Sequence, residues 1–107
     1  MTNFIFLFMT SLNFDSLKRR LELVKPEVEE KFNVKSIGFF GSYARGEQKD
    51  NSDLDILVDF YEPISLFRFV ELEDFLSQRL GVKVDLVMRD ALKPRIKESI
   101  LSEAIYV

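Results

Sequence analysis

Neither cysteine nor histidine occurs anywhere in this 107-residue chain. Without cysteine there is no disulfide framework and no thiolate metal site, which favours a reducing, cytoplasmic setting. Without histidine there is no Ser-His-Asp triad and no His-bearing zinc site. Acid–base chemistry then falls to carboxylates, lysine, tyrosine or metal-bound water. A membrane-spanning run is missing as well. Phe4-Ile5-Phe6-Leu7-Phe8-Met9 is apolar but far too short for a bilayer, and it lacks the cationic flank and small-residue cleavage site of a signal peptide. Nor is there an excess of positive charge: the net charge of −3 gives no global attraction to nucleic acid, so direct nucleic-acid binding is not expected. Repeats, linkers and low-complexity tracts are absent too.

What is present is enough for one core. Hydrophobic residues make up 47% of the chain, so it should fold, and its length fits a single domain over residues 1–107. Residues 1–13 stand apart as an expected extra edge strand or partner-binding arm that buries its phenylalanines. Asp15-Ser16-Leu17 can cap a helix with Leu17, Leu21, Val24 and Val28 at helical spacing, which Pro26 should kink or restart. Ser65 can cap a second helix ending at Gly81, with Leu66, Phe69, Leu72, Leu76 and Leu80 on one stripe. Phe67, Val70 and Phe75 widen that stripe beyond what one sheet face needs, and an ordinary core helix is expected rather than a partner groove. Pro94 suits the first turn of a last helix carrying Ile96, Ile100, Leu101 and Ala104. Strand-like runs at 35–40, 53–60 and 82–88 complete the order α-β-turn-β-α-β-α. That order predicts an α/β fold, an open sheet covered by helices.

The chemistry is concentrated in Gly41-Ser42-Tyr43-Ala44-Arg45-Gly46-Glu47 and the nearby Ser52-Asp53-Leu54-Asp55-Ile56-Leu57-Val58. Gly41 permits a sharp turn out of the first strand, and Ser42 is expected to cap a brief helical turn whose N–H groups accept phosphate. Gly46 should close that turn. A strand's period of two puts Asp53 and Asp55 on one face, where they repel unless a cation lies between them. Oxygen ligands with open positions suit magnesium, which takes its remaining ligands from water and substrate phosphates. Asp85, in the middle of Val82–Met88, joins the pair if the two strands are neighbours. Together they would form a two-ion site for phosphoryl chemistry, with Asp85 nearest the acceptor. Arg45 and Lys49 could reach the triphosphate or simply pair or be solvated. Glu47 and Asp50 read as loop acids, and Arg89-Asp90 as a charged loop. Asp59 shares the acids' parity but lies about 13 Å further along the strand, out of reach. The bland alternative is a Gly-Ser loop followed by a solvated acidic start to a strand.

These same residues resemble the Gly-Ser … Asp-x-Asp motif of the DNA polymerase β-like nucleotidyltransferase superfamily, and most of all its minimal nucleotidyltransferases (MNT). The similarity runs from about Leu17 to the C-terminus and includes Leu92-Lys93-Pro94 and the ending Ile100-Leu101-Ser102-Glu103-Ala104-Ile105-Tyr106-Val107. The resemblance implies a small mixed β-sheet of about three to four strands flanked by helices, the nucleotidyltransferase fold. It implies Asp53, Asp55 and Asp85 as catalytic metal ligands for Mg2+, with Gly41 and Ser42 on the triphosphate of ATP. It also implies a HEPN-domain toxin as partner in a hetero-oligomer. On this reading the chain is an antitoxin that AMPylates a tyrosine of that toxin. Two other readings stay open: an antitoxin that acts by binding alone through a weak or vestigial site, and a transferase for a small hydroxylated acceptor. The three intact acids favour the first reading over binding alone. The chain's shortness disfavours a small-molecule acceptor, whose pocket would have to come from elsewhere.

Overall fold

A computed structural model describes residues 14–49 and 51–107. The expectation for residues 1–13 and the reading of Asp50 fall outside them. In chain order the elements are α1 (Phe14–Phe32), β1 (Val34–Phe40), α2 (Gly41–Arg45), β2 (Leu54–Phe60), α3 (Leu66–Leu80), β3 (Val84–Met88), a 3-10 turn (Arg89–Ala91), α4 (Pro94–Glu103) and β4 (Ile105–Tyr106). The sheet is mixed, with strand order β3-β2-β1-β4. β1 runs antiparallel to β2 and to β4, while β2 and β3 are parallel. The parallel pair needs a crossover, and α3 supplies it. This is the helix-covered α/β sheet that the element order predicts, and the small mixed sheet of three to four strands that the resemblance implies.

One face of the sheet carries the core. Ile37 and Phe39 of β1, Leu54, Ile56 and Val58 of β2, and Val84 and Leu86 of β3 pack in a single cluster with residues from two helices. From α1 come Leu17, Leu21, Val24, Val28 and Phe32, and from α3 come Leu72, Leu76 and Leu80. Each fully buried leucine contributes about 1.5–3 kcal/mol relative to exposure. The alternate residues of the strands point to the opposite face, where Asp55, Asp59 and Asp85 lie and where Leu57, between the first two, is buried.

Local signals behaved unevenly. The Ser65 side chain accepts the Arg68 N–H at 3.2 Å and caps α3, which ends at Gly81, and Pro94 opens α4, all as expected. Three expectations need correction. Ser42 is not a cap: α2 begins at Gly41 after Phe40, and no side chain caps it. Pro26 does not restart α1, which is continuous from Phe14 to Phe32 with the proline inside it; of the two expected effects only a kink is compatible with that. One missing N–H is tolerated there because the helix is anchored by buried residues on both sides of it. Asp15 lies in the first described turn of α1 instead of preceding the helix. The α3 stripe is also only partly buried, with Leu66, Phe67 and Val70 at 77%, 90% and 45% exposure.

Two close approaches hold the sheet edges. At Gly38 an added Cβ would lie 2.8 Å from the Ile105 carbonyl oxygen and 2.9 Å from the Tyr106 Cα, so only glycine lets β4 pair there. On the other edge, the outward N–H groups of β3 are taken up by α3. Val84 donates to Ser77 Oγ at 3.0 Å and Leu86 donates to Glu73 Oε2 at 2.9 Å.

Candidate active site

Three separate stretches of chain meet at the carboxyl end of β1 and the start of β2. The antiparallel register sets Phe40 opposite Asp55, and the parallel register sets Asp85 opposite Asp55 on the other side. Asp55 therefore sits in the central part of the sheet, flanked by the end of β1 and by the strand that carries the third acid. Asp53 lies one residue before β2, with its carboxylate 3.9 Å from Lys83 Nζ. Both of those side chains are well exposed, so the contact contributes little. The strand adjacency on which the three-acid reading depends is present.

Gly41 follows β1 directly, with φ +74°, a conformation L side chains rarely adopt. The stronger constraint is space. A Cβ on Gly41 would lie 2.1 Å from Asp55 Oδ2 and 2.9 Å from its Cγ. The glycine is there because a carboxylate fills the position its side chain would take. Ser42 is half-buried in the brief α2, and Tyr43 is buried beside the core. The Gly46 N–H bonds back to Tyr43 O and closes the turn.

Burial raises the Asp55 carboxyl to about 6, helped by the negative charges of Asp85 and Asp53, while Arg45 pulls it the other way. The arrangement thus stores the like-charge repulsion that a cation would relieve. Among the described residues no group of three acids is arranged to hold a metal ion unaided. That fits magnesium: it commonly binds one or two carboxylates and completes its octahedron with water and substrate phosphate oxygens. The side-chain donors near one another there are all oxygen: Asp55 and Asp85 at one register position, and Asp53 two residues before Asp55.

Arg45 is placed near Asp55 but is engaged. Its Nε donates to Glu47 Oε2 at 3.2 Å and its Nη1 to Glu103 Oε1 at 3.2 Å. Glu47, first among the causes, and Glu103 hold its guanidinium above the usual value. Glu103 is the residue that sequence reasoning missed. Its carboxylate also accepts the Gly41 N–H at 3.2 Å, across 62 residues of sequence, and nothing local marks that contact. Lys49 is exposed in a turn tied by Ser52, whose N–H reaches Lys49 O and whose Oγ accepts the Lys49 N–H. Asp59 is 3.8 Å from Arg89 Nη1, away from the acid group, as its distance along the strand predicts.

Comparison with known proteins places the family and the fold. The Nucleotidyltransferase domain family matches residues 21–107. A Thermococcus cleftensis protein named Protein adenylyltransferase MntA is 48% identical over 99 residues, covering 92% of this chain and 100% of that one. A solved structure provisionally described as a minimal nucleotidyltransferase is 39% identical with a TM-score of 0.75, covering 87% of this chain and 94% of its own. A Shewanella oneidensis complex of a tri-AMPylated HEPN toxin with an MNT antitoxin is alike in fold. Its TM-score is 0.59 at 21% identity, covering 81% of this chain and 66% of the matched chain.

Proposed function

The chain belongs to the nucleotidyltransferase domain family, and from that membership we propose that it is a magnesium-dependent adenylyltransferase. It moves AMP from ATP onto a tyrosine hydroxyl of a cognate HEPN-type toxin and so acts as that toxin's antitoxin. One observation carries the reading: Asp55 and Asp85 share a register position beside a glycine that yields its side-chain space to Asp55. The acceptor is taken from the relatives, since the Thermococcus protein is named for protein adenylylation and the Shewanella complex contains an AMPylated HEPN toxin.

Asp53, Asp55 and Asp85 hold the magnesium, and the turn at Gly41 and Ser42, with Arg45, holds the triphosphate. Bound there, the metal supplies charge neutralisation at the phosphates and eases ionisation of the acceptor hydroxyl. The turn and Arg45 would set the α-phosphorus in line with the acceptor, while the carboxylates would hold the metal. A bond forms from the tyrosyl oxygen to that phosphorus as its bond to the bridging oxygen of the β-phosphate breaks. Pyrophosphate leaves, and the phenolic proton passes to Asp85, the acid on the outer strand.

The test is the intact mass of the cognate toxin after incubation with this chain, magnesium and each ribonucleoside triphosphate in turn. A gain of one or more AMP units with ATP, lost in Asp53→Asn, is expected. A gain with another nucleotide would correct the donor. A tight complex without any gain would leave an antitoxin that acts by binding.

A further inference from the structure

Two of the donors assigned to the triphosphate, the Gly41 N–H and the Arg45 guanidinium, are already in use. Glu103, the last residue of α4, accepts the Gly41 N–H at 3.2 Å and the Arg45 Nη1 at 3.2 Å through Oε1, with Oε2 3.4 Å from the same nitrogen. Its side chain is only 25% exposed, whereas the other acid on Arg45, Glu47, is 64% exposed and lies on the solvent side. One carboxylate thus spans a backbone N–H and a guanidinium that lie four residues apart, as a phosphate oxygen pair does.

Resting on the nucleotide-binding reading above, we propose that Glu103 is a built-in occupant of the phosphate position, displaced when a nucleoside triphosphate binds, and that it sets the affinity for nucleotide. The reason is exclusion. A backbone N–H serves one anionic acceptor at full strength, and that of Gly41 is held by Glu103. Asp55 already lies against Gly41 on another side. A triphosphate added to both acids would bring a third anion to a place where Arg45 is the side-chain cation at hand, and like charges at contact distance repel strongly in a partly desolvated site. Asp55 is built into β2 and cannot leave. Glu103 can: it lies at a helix end, and its carboxylate needs only side-chain rotation to swing away. Its backbone stays put, because Ala104 leads straight into β4, which pairs with β1 at Phe39 and Gly38. ATP, pyrophosphate and inorganic tripolyphosphate share the chemistry that competes with this carboxylate.

The experiment is direct binding without turnover. Calorimetry gives the Kd of ATP and of tripolyphosphate for the wild type and for Glu103→Gln, which keeps the side chain's length and an acceptor oxygen but removes the charge. Binding at least fivefold tighter in Glu103→Gln is expected for both ligands. Unchanged or weaker binding in a folded variant would overturn the proposal, and Glu103 would then be a positioning residue for Arg45. The wild type provides a second measurement that does not depend on the variant folding. The Gly41 amide resonance should shift on saturation with ATP as its acceptor changes from carboxylate to phosphate. An unmoved Gly41 resonance in a nucleotide-saturated protein also overturns the proposal. If neither protein binds ATP or tripolyphosphate, the nucleotidyltransferase reading fails and this one fails with it. Nucleotide binding by the wild type that Glu103→Gln does not tighten removes this inference alone.

Discussion

Gly41 and Asp55 occupy one space, so they should not mutate independently. Gly41→Ala places a methyl group 2.1 Å from Asp55 Oδ2 and demands a left-handed alanine. The conformation alone costs about 1–2 kcal/mol. Urea denaturation of Gly41→Ala, Asp55→Ala and the double variant should show part of the first variant's loss recovered in the double, a non-additive pair of the kind direct contacts produce. Asp55 makes a second prediction through pH. Its carboxyl is raised to about 6 in the folded state, chiefly by burial, from an ordinary value of 3.8. Between those values the folded protein binds more protons than the unfolded chain, so its stability should fall as pH rises through about 4 to 6 and stay at the lower level above. Asp55→Asn should lose this slope and be the more stable protein at pH 7 without metal, while losing transfer. Unfolding midpoints against pH for the two proteins check this. A variant that unfolds would make Asp55 structural instead. Of the site residues, the three acids and Gly41 were legible in the sequence because their signal is local: a period of two, and a glycine where a strand must turn. Glu103 was not, because a contact 58 to 62 residues away leaves no periodic trace.

Helix α3 shows why apolar periodicity fixes a face but not its cover. Fifteen residues at 1.5 Å rise make a helix of about 22 Å, whereas the five residues of β3 extend about 16 Å. The C-terminal part of α3 lies on the sheet and buries Leu72, Leu76 and Leu80 completely, while Leu66, Phe67 and Val70 remain open to solvent. Leu66 also lines a groove with Ile64, Phe69, Leu86, Val87, Met88 and Ala91, where helix and strand part. The stripe reads the same in sequence along its whole length. Leu76→Ala should therefore cost about 2–5 kcal/mol, and Phe67→Ala should stay within about 0.5 kcal/mol. Equal losses would mean that the exposed end is covered in solution. Ser77→Ala tests the same helix through its polar side. Removing the acceptor of the Val84 N–H should cost about 1 kcal/mol in chemical denaturation, with the cofactor-free acids unaffected in number or charge.

At the scale of the whole molecule, the fold places a helix-packed face beneath the sheet and the acids on its other face. Among the described residues no helix is long and apolar enough to cross a membrane. The fold class was legible because helical and strand periods alternate cleanly. The two-residue β4 was too short to show a period, and its position depends on the missing side chain of Gly38. Ligand linkage gives a whole-molecule prediction: magnesium with ATP at about 100 times Kd should stabilise the native state by about 2.7 kcal/mol, seen as a rise in Tm, and Asp53→Asn should show much less. The register of β3 has a further consequence. Because neighbouring residues of a strand face opposite ways, a slip of one residue against β2 would turn Asp85 toward the helices and bring Val84 or Leu86 to the acids' side. The same slip would strip the Val84 and Leu86 amides of Ser77 and Glu73. One alignment of β3 thus serves two ends, keeping its apolar residues under the helices and its carboxylate beside Asp55.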